Sequence, residues 1–207
     1  MQLIHETQFL APINVYQLYT KVSKVSIEAH ETYQKRSIRN KCIIMGVNGP
    51  ITLTVPLLRG KHSGQYITEV EISYHESWVG DMLHALRSAY GASPYFEYYY
   101  LEVEQILKQK LSHLWLLNEA MREMMIKRCD LTEISFVSTE EYHKSYPKSW
   151  LDIRSQKLKD YHPIKSMSKG YAQVFEDRHG FIAGLSILDA LFCLGPETSL
   201  YLNRQEV

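Results

Sequence analysis

Cys42-Ile43-Ile44-Met45-Gly46-Val47-Asn48-Gly49-Pro50-Ile51-Thr52-Leu53-Thr54-Val55 is the stretch that decides the fold class. Two apolar, β-branched runs flank Asn48-Gly49, and both turn residues tolerate positive φ, so the stretch predicts a β-hairpin. Towards the amino terminus, residues 2–9 read as a short strand. Pro12 suits the first turn of a helix over about 12–22. Val25, Ile27 and Ala29 alternate with polar residues, as in a half-buried strand. On the other side, residues 59–66 form a polar, glycine-containing loop. Residues 67–74 read as another strand, with Val70 and Ile72 on one face.

The period changes at Ser77. Trp78, Met82, Leu83, Leu86 and Tyr90 fall at helical spacing, with Ser77 as N-cap and Gly91 as the C′ glycine. Ser93-Pro94 opens a second helix. A third runs over about 112–129, with Leu114, Leu117, Met121, Met124 and Met125 inward. The short links favour antiparallel packing. Residues 134–137 read as a strand, and 140–169, polar and aromatic without a period, as a loop or mobile cover. Residues 171–175 read as a strand, 177–180 as a turn, and 186–194 as a buried helix ended by Gly195-Pro196. The expected class is α/β or α+β, one domain over 1–207. A mixed β-sheet comes from the N-terminal half (about 1–76), with a layer of antiparallel helices at about 77–130. A loop-rich part, about 131–207, ends in a strand and helix that pack back onto the sheet.

Composition narrows the function. A chain of 207 residues can bury a sizeable core. Its 45% hydrophobic and 22% charged residues are globular values that exclude a disordered or collagen-like chain. Lys plus Arg and Asp plus Glu are 23 each, so the formal net charge is zero, which argues against a general nucleic-acid binder. Fifteen tyrosines and nine histidines suit half-buried pockets and interfaces. The three cysteines, Cys42, Cys129 and Cys193, show no CxxC spacing, which argues against a disulfide framework or structural zinc and for a reducing, cytoplasmic setting. The first residues lack the pattern of a signal peptide, and no run approaches the roughly 18 apolar residues that span a bilayer, so no membrane insertion is expected.

The densest polar constellation is His30, Glu31, Tyr33, Gln34, Lys35, Arg36, Ser37, Arg39, Asn40 and Lys41. Arginine forks and lysine point charges suit carboxylate or phosphate, Tyr33 suits stacking on a base or sugar, and Gln34 and Asn40 suit hydroxyl-rich ligands. The alternative is a solvated connector. Asp189 lies in the apolar run 185–192 and has three open readings: pairing with a cation such as Arg36, exposure, or proton transfer. The narrow polar stripe of its helix makes the cation pair the expectation. His5, His30 and Asp189 are the groups able to move a proton near neutral pH. His5 and Glu6 point to opposite faces of a strand, as do His30 and Glu31, so neither pair is a ready-made dyad. No HExxH, HxH or DxD occurs, so no metal is expected, and a metal-dependent glycosyltransferase is disfavoured. No GxGxxG or P-loop occurs either, and no cofactor is expected. Tyr95, Phe96, Tyr98, Tyr99 and Tyr100 cover more than one side of their helix, which suggests core plus a homodimer contact.

Several blocks together resemble the WbqC-like family. Phe9-Leu10-Ala11-Pro12-Ile13 resembles its opening, Tyr33-Gln34-Lys35-Arg36-Ser37 followed by Asn40 its Lys-Arg-Ser block, and Leu53-Thr54-Val55-Pro56 its LTVP strand end. Trp78, Tyr90 and Ser93-Pro94-Tyr95-Phe96 resemble the next block. Tyr171-Ala172-Gln173-Val174-Phe175, Phe181, residues 185–189, Phe192 and Gly195-Pro196 resemble its close. Two departures stand out: Met82 occupies the slot where many relatives carry histidine, and the Ser-Gly-rich segment of larger relatives is missing. The chain resembles the short, Bacteroidetes-type branch. The resemblance implies a cytoplasmic protein of bacterial surface-glycan assembly, in O-antigen and lipopolysaccharide biosynthesis. On that footing the leading expectation is a group-transfer enzyme acting on a small-molecule glycan precursor, a nucleotide-sugar or amino-sugar derivative. The alternatives are a non-catalytic binding or assembly factor, or a nucleotide or nucleic-acid binder using the 33–41 loop. Because Lys35, Arg36, Asn40 and Gln173 all sit in family-like blocks, they are expected to line one shared site.

Overall fold

The computed structural model describes residues 1–58, 64–154, 164–165 and 170–203. Its centre is a four-stranded parallel sheet in the order β5-β2-β1-β6, formed by β1 (Gln2–Glu6), β2 (Lys24–Glu28), β5 (Ser135–Ser138) and β6 (Trp150–Asp152). After their first residues β1 and β2 are buried throughout, where a half-buried alternation was expected for β2. A parallel sheet is covered on both faces, so its inner strands lose the in-out contrast that a one-sided sheet shows. One face carries Leu3, Val25 and Phe136 in register. It packs under α1 (Ile13–Tyr19), whose Tyr19 ring meets Phe136 edge-on at 5.2 Å. The other face carries Ile4, Ser26, Val137 and Asp152 in one row, and Glu6 beside Glu28 in the next.

The hairpin forms as expected, from β3 (Lys41–Gly46) and β4 (Gly49–Thr54), but as its own two-stranded sheet. Its closing pair is Gly46↔Gly49, so the two turn residues are Val47 and Asn48, one position before the predicted pair. Gly49 takes φ +123°, a value side chains rarely adopt, which explains why glycine ends the turn. Residues 67–74 do not form the expected strand. Ile67–Glu69 is a 3₁₀ turn, and Val70 and Ile72 are buried by lending backbone bonds to the start of the third helix. The Leu114 N–H donates to Val70 O at 2.8 Å, and Ile72 N–H to Ser112 O at 2.9 Å.

The helical layer is α2 (Trp78–Tyr90), α3 (Phe96–Lys108) and α4 (Leu114–Arg128). Their inward faces carry Met82, Leu86, Tyr90, Phe96, Val103, Leu107, Leu117, Met121 and Met125. Ser77 makes no side-chain cap, and α3 starts two residues after Pro94.

The carboxy-terminal part differs most from expectation. β6 lies within the expected loop 140–169, of which 155–163 and 166–169 fall outside the described residues, as do 59–63 of the loop 59–66. A short pair joins β7 (Ile164–Lys165) to β8 (Ile182–Ala183), and α5 (Glu176–His179) replaces the expected turn. Residues 171–175 form no strand. The final buried helix is α6 (Ile187–Leu194), continued by a 3₁₀ turn and α7 (Thr198–Leu202) beyond Gly195-Pro196. α6 packs back on the β1–α1 loop, where Ile187 N–H donates to Ala11 O at 3.0 Å, and on α3, where Phe192 meets Phe96. Among the described residues no helix is long and apolar enough to cross a membrane. Cys42, Cys129 and Cys193 are buried and unpaired.

Candidate active site at the carboxyl ends of the parallel strands

In open parallel sheets, ligands sit outside the carboxyl ends of the strands, at the point where successive connections diverge to opposite sides. Here β1 is followed by β2 on one side, while β6 flanks it on the other. The ends of β1, β2 and β6 gather a cluster of charges: Glu6, Glu28, Glu31 and Arg39 are buried, Arg154 is half-buried, and Asp152 is exposed at its edge.

Each charge has a local reason for its position. Arg39 closes on Glu31 as a fork, Nε to Oε1 at 2.7 Å and Nη2 to Oε2 at 2.5 Å. Arg154 closes a second fork on Asp152, at 3.0 and 2.7 Å, and its Nη1 donates to Glu28 Oε2 at 2.7 Å and to His143 O at 3.0 Å. The Arg154 guanidinium also lies 4.8 Å from the Tyr146 ring centre, and Tyr146 stacks on Trp150. Glu28 Oε1 accepts from the Thr139 hydroxyl at 2.7 Å and the His30 N–H at 3.1 Å. Paired, fork-held charges of this kind are what make burial tolerable.

Glu6 stands apart. It is fully buried, its Oε1 accepts a long 3.3 Å bond from Gln8 Nε2, and its Oε2 has no hydrogen-bond partner. Burial pushes its carboxyl up to about 7, partly opposed by the nearby Arg39 charge. The following loop is strained and clamped. Leu10 takes φ +47°, a conformation unfavourable for a leucine, while its carbonyl accepts from Ser186 Oγ at 2.9 Å and Phe9 N–H donates to Ile38 O. The strand end that presents Glu6 is thereby fixed from outside.

The candidates read from the sequence distribute as follows. His5 faces away from Glu6's carboxyl, as strand alternation requires. Its Nδ1–H donates to Glu6 O at 2.5 Å, and its Nε2 accepts from the Tyr19 hydroxyl at 2.8 Å. Burial lowers its pKa to about 3, so the ring is neutral. A cavity beside it, lined by Thr7, Tyr16, Tyr19, Asn118 and Arg122, measures about 10 Å³ and has room for no more than a water-sized group. His30 is exposed and joins the cluster through its backbone. Tyr33 and Asn40 are brought together: the Tyr33 hydroxyl donates to Asn40 Oδ1 at 3.2 Å, and Asn40 Nδ2 donates to Val55 O at 2.8 Å. Gln34, Lys35 and Arg36 are exposed on the same loop.

Gln173 does not join them. It bonds the backbone of Ile182 in both directions and donates to Asp189 Oδ2 at 2.8 Å. The expected cation beside Asp189 is corrected here. Its carboxylate, fully buried, accepts from the Tyr90 hydroxyl at 2.9 Å, the Tyr171 hydroxyl and the Gln173 amide. Arg36 stands exposed with φ +57°. Neutral donors can satisfy a buried carboxyl when burial itself raises its pKa, as it does for Asp189. The expectation that Lys35, Arg36, Asn40 and Gln173 share one concave site therefore fails at Gln173.

The sequence reading passed over Glu6, Glu28, Asp152 and Arg154. A usable signal existed for two of them: Glu6 and Glu28 each end a run of strand residues with a carboxylate where a buried strand would carry an apolar side chain.

The family model for the WbqC-like proteins matches residues 7–162. The chain belongs to the WbqC-like protein family. The region matched to the WbqC-like family contains Glu28, Glu31, Arg39, Asp152 and Arg154 of the charge cluster, while Glu6 lies one residue before it. The blocks from Tyr171 to Pro196 that resemble the WbqC-like family lie beyond the matched region. No curated protein and no solved structure matches the chain. Among the described residues no group of histidine, cysteine and carboxylate side chains has the arrangement of a metal site.

Proposed function

We propose that this chain is a group-transfer enzyme of bacterial surface-glycan assembly, working in the cytoplasm on a nucleotide-sugar or amino-sugar derivative. The family points to the pathway. The observation that carries the chemistry is Glu6: a buried carboxyl at the end of a central parallel strand, poised to exchange a proton near neutral pH, with one oxygen left unbonded. In its ionised form such a group accepts the proton of an attacking hydroxyl or amine as the attacker's bond to the transferred group forms and that group's bond to its leaving group, the nucleotide phosphate of a nucleotide-sugar donor, breaks. Glu28, Asp152 and Arg154 hold the strand ends around it, and Gln34, Lys35 and Arg36 on the neighbouring loop form the outer rim for a nucleotide's phosphates.

A second reading, a non-catalytic binding factor for envelope glycan enzymes, is favoured by one observation: Asp189 and His5 are both engaged in hydrogen bonds internal to the fold. Two measurements decide between the readings. One is the surface glycan of a strain lacking the gene, complemented with wild type or Glu6→Gln. The other is turnover of a nucleotide-sugar panel by the purified proteins. The enzyme reading expects loss of glycan and of turnover with Glu6→Gln. Full complementation by Glu6→Gln overturns it.

A further inference from the structure

We propose that the small cavity beside His5 is the seat of one buried water molecule that belongs to the fold. This site lies across β1 from the Glu6 carboxyl and is independent of the catalytic reading above. The cavity measures about 10 Å³, which is about one water position. Asn118 and Arg122 stand one turn apart on α4, and both line it. The hydrogen-bonding groups still free around it decide the occupant. Both nitrogens of the His5 ring are engaged, with Glu6 O and the Tyr19 hydroxyl. Asn118 Nδ2 donates to Thr7 Oγ1 at 3.1 Å and to Arg39 O at 2.9 Å. Those two donations fix which end of the amide is nitrogen, so the unpartnered atom of this side chain, Oδ1, is an acceptor. Asn118 is 1% exposed. Arg122 holds Glu119 Oε2 through Nη2 at 2.5 Å, and its Nε and Nη1 are buried donors without a hydrogen-bond partner.

An occupant must therefore accept from a guanidinium and donate to an amide oxygen at once. A chloride or other anion has nothing to donate to Asn118 Oδ1 and stands near the Glu119 carboxylate. A sodium or ammonium ion meets the charge of Arg122. Water is neutral, both gives and takes hydrogen bonds, and matches the size of the cavity. Buried polar atoms of native folds are satisfied by protein or by ordered water, and here the protein leaves one acceptor and two donors on residues that share a cavity wall. A water bound at Oδ1 holds the Asn118 amide in the orientation that joins α4 to Thr7, just past β1, and to the backbone of Arg39. One solvent molecule thereby helps to fix the strand end and the loop that carries the Arg39–Glu31 pair.

A high-resolution crystal structure of the full chain, with a second crystal soaked in sodium bromide, tests the assignment. The proposal expects one ordered oxygen in the cavity, about 2.7–3.2 Å from both Asn118 Oδ1 and an Arg122 nitrogen, and no anomalous bromide signal there. In solution, oxygen-17 relaxation dispersion counts long-lived waters. Asn118→Leu removes the acceptor and should show one long-lived water fewer than wild type while its melting profile stays cooperative. Should that variant fail to fold, Arg122→Met, which removes the donors, takes its place in the count. A dry cavity, a bromide peak in it, or density in which Asn118 Oδ1 bonds a protein group instead overturns the proposal. So does an unchanged count of long-lived waters in the variant.

Discussion

Arg154 Nη1 lies 2.7 Å from Glu28 Oε2 although their strands are not neighbours: β1 runs between β2 and β6. One guanidinium thus ties together both flanks of the central strand, holding Asp152 on one side and Glu28 on the other. Glu6, at the end of β1, sits within that span.

Arg154→Leu leaves Glu28 buried without its cation. The expected loss is about 3–5 kcal/mol, the range for breaking a buried pair, against about 0–1 for a surface one. Combined with Glu28→Gln, the loss is less than additive. Urea denaturation of the four proteins in the cycle measures this. A single-variant loss under about 1 kcal/mol would mean that solvent already serves Glu28.

Glu6 makes stability fall with rising pH. Its carboxyl is raised from 4.5 to about 7 in the folded chain, so the native state holds a proton that the unfolded state has lost. The contribution is fully present below about 4.5 and is lost as pH rises through about 7, on the order of 3 kcal/mol in all. Glu6→Gln keeps the shape and removes the titration. Denaturation midpoints measured across this range should be flatter for the variant, and parallel curves would sink the assignment.

His5 acts in the opposite direction. Its pKa is lowered from 6.5 to about 3, so its contribution is present above about 6.5 and is lost as pH falls towards about 3. The His5 ring signals in NMR should show the Nδ1–H tautomer and no titration between about pH 5 and 7, where a free histidine would charge. Tyr19→Phe removes the hydroxyl that Nε2 accepts and should cost about 1 kcal/mol.

Asp189 binds three donors from two parts of the chain. Asp189→Ala leaves the Tyr90 and Tyr171 hydroxyls and the Gln173 amide without their acceptor, and about 3–5 kcal/mol is the expected loss. Tyr171→Phe should cost about 1–3 kcal/mol alone and less in the Asp189→Ala background. Thermal denaturation of the singles and the double checks it, and strict additivity would deny that the groups form one network.

Gly195 takes φ +56°, and a Cβ there would stand 2.4 Å from the Tyr95 ring. Gly195→Ala should therefore destabilise the chain by more than about 1 kcal/mol, through backbone strain and the forced shift of an aromatic ring. Tyr95→Ala should relieve the steric part but not the strain, so the double variant recovers only part of the loss. Melting temperatures suffice as the readout.

Local rules read well wherever neighbours in sequence decide the outcome. Asn48-Gly49 marked the hairpin to within one residue, and Met82, Leu86 and Tyr90 marked the buried stripe of α2. Asp189 was rightly singled out as a polar group in an apolar helix, but its partners were wrongly expected to be charged. The misses share a cause. β6 is three residues long, too short for any period, and exists because β1 offers it an edge. Residues 171–175 alternate as a strand would, yet Tyr171 and Gln173 spend that alternation on Asp189 rather than on a neighbouring strand. Arg154 lies 126 residues from Glu28, and no spacing rule reaches that far.

The central strand also imposes an order on biosynthesis. β1 leaves the ribosome before β2, and both leave it well before β6, which covers the other edge of β1 and begins only at Trp150. Until then β1 presents a row of unpaired backbone groups, and Glu28 waits for Arg154. Such long-range pairing slows folding and exposes an edge to other nascent chains. Chains stalled before residue 150 are therefore the forms of this protein most prone to aggregate.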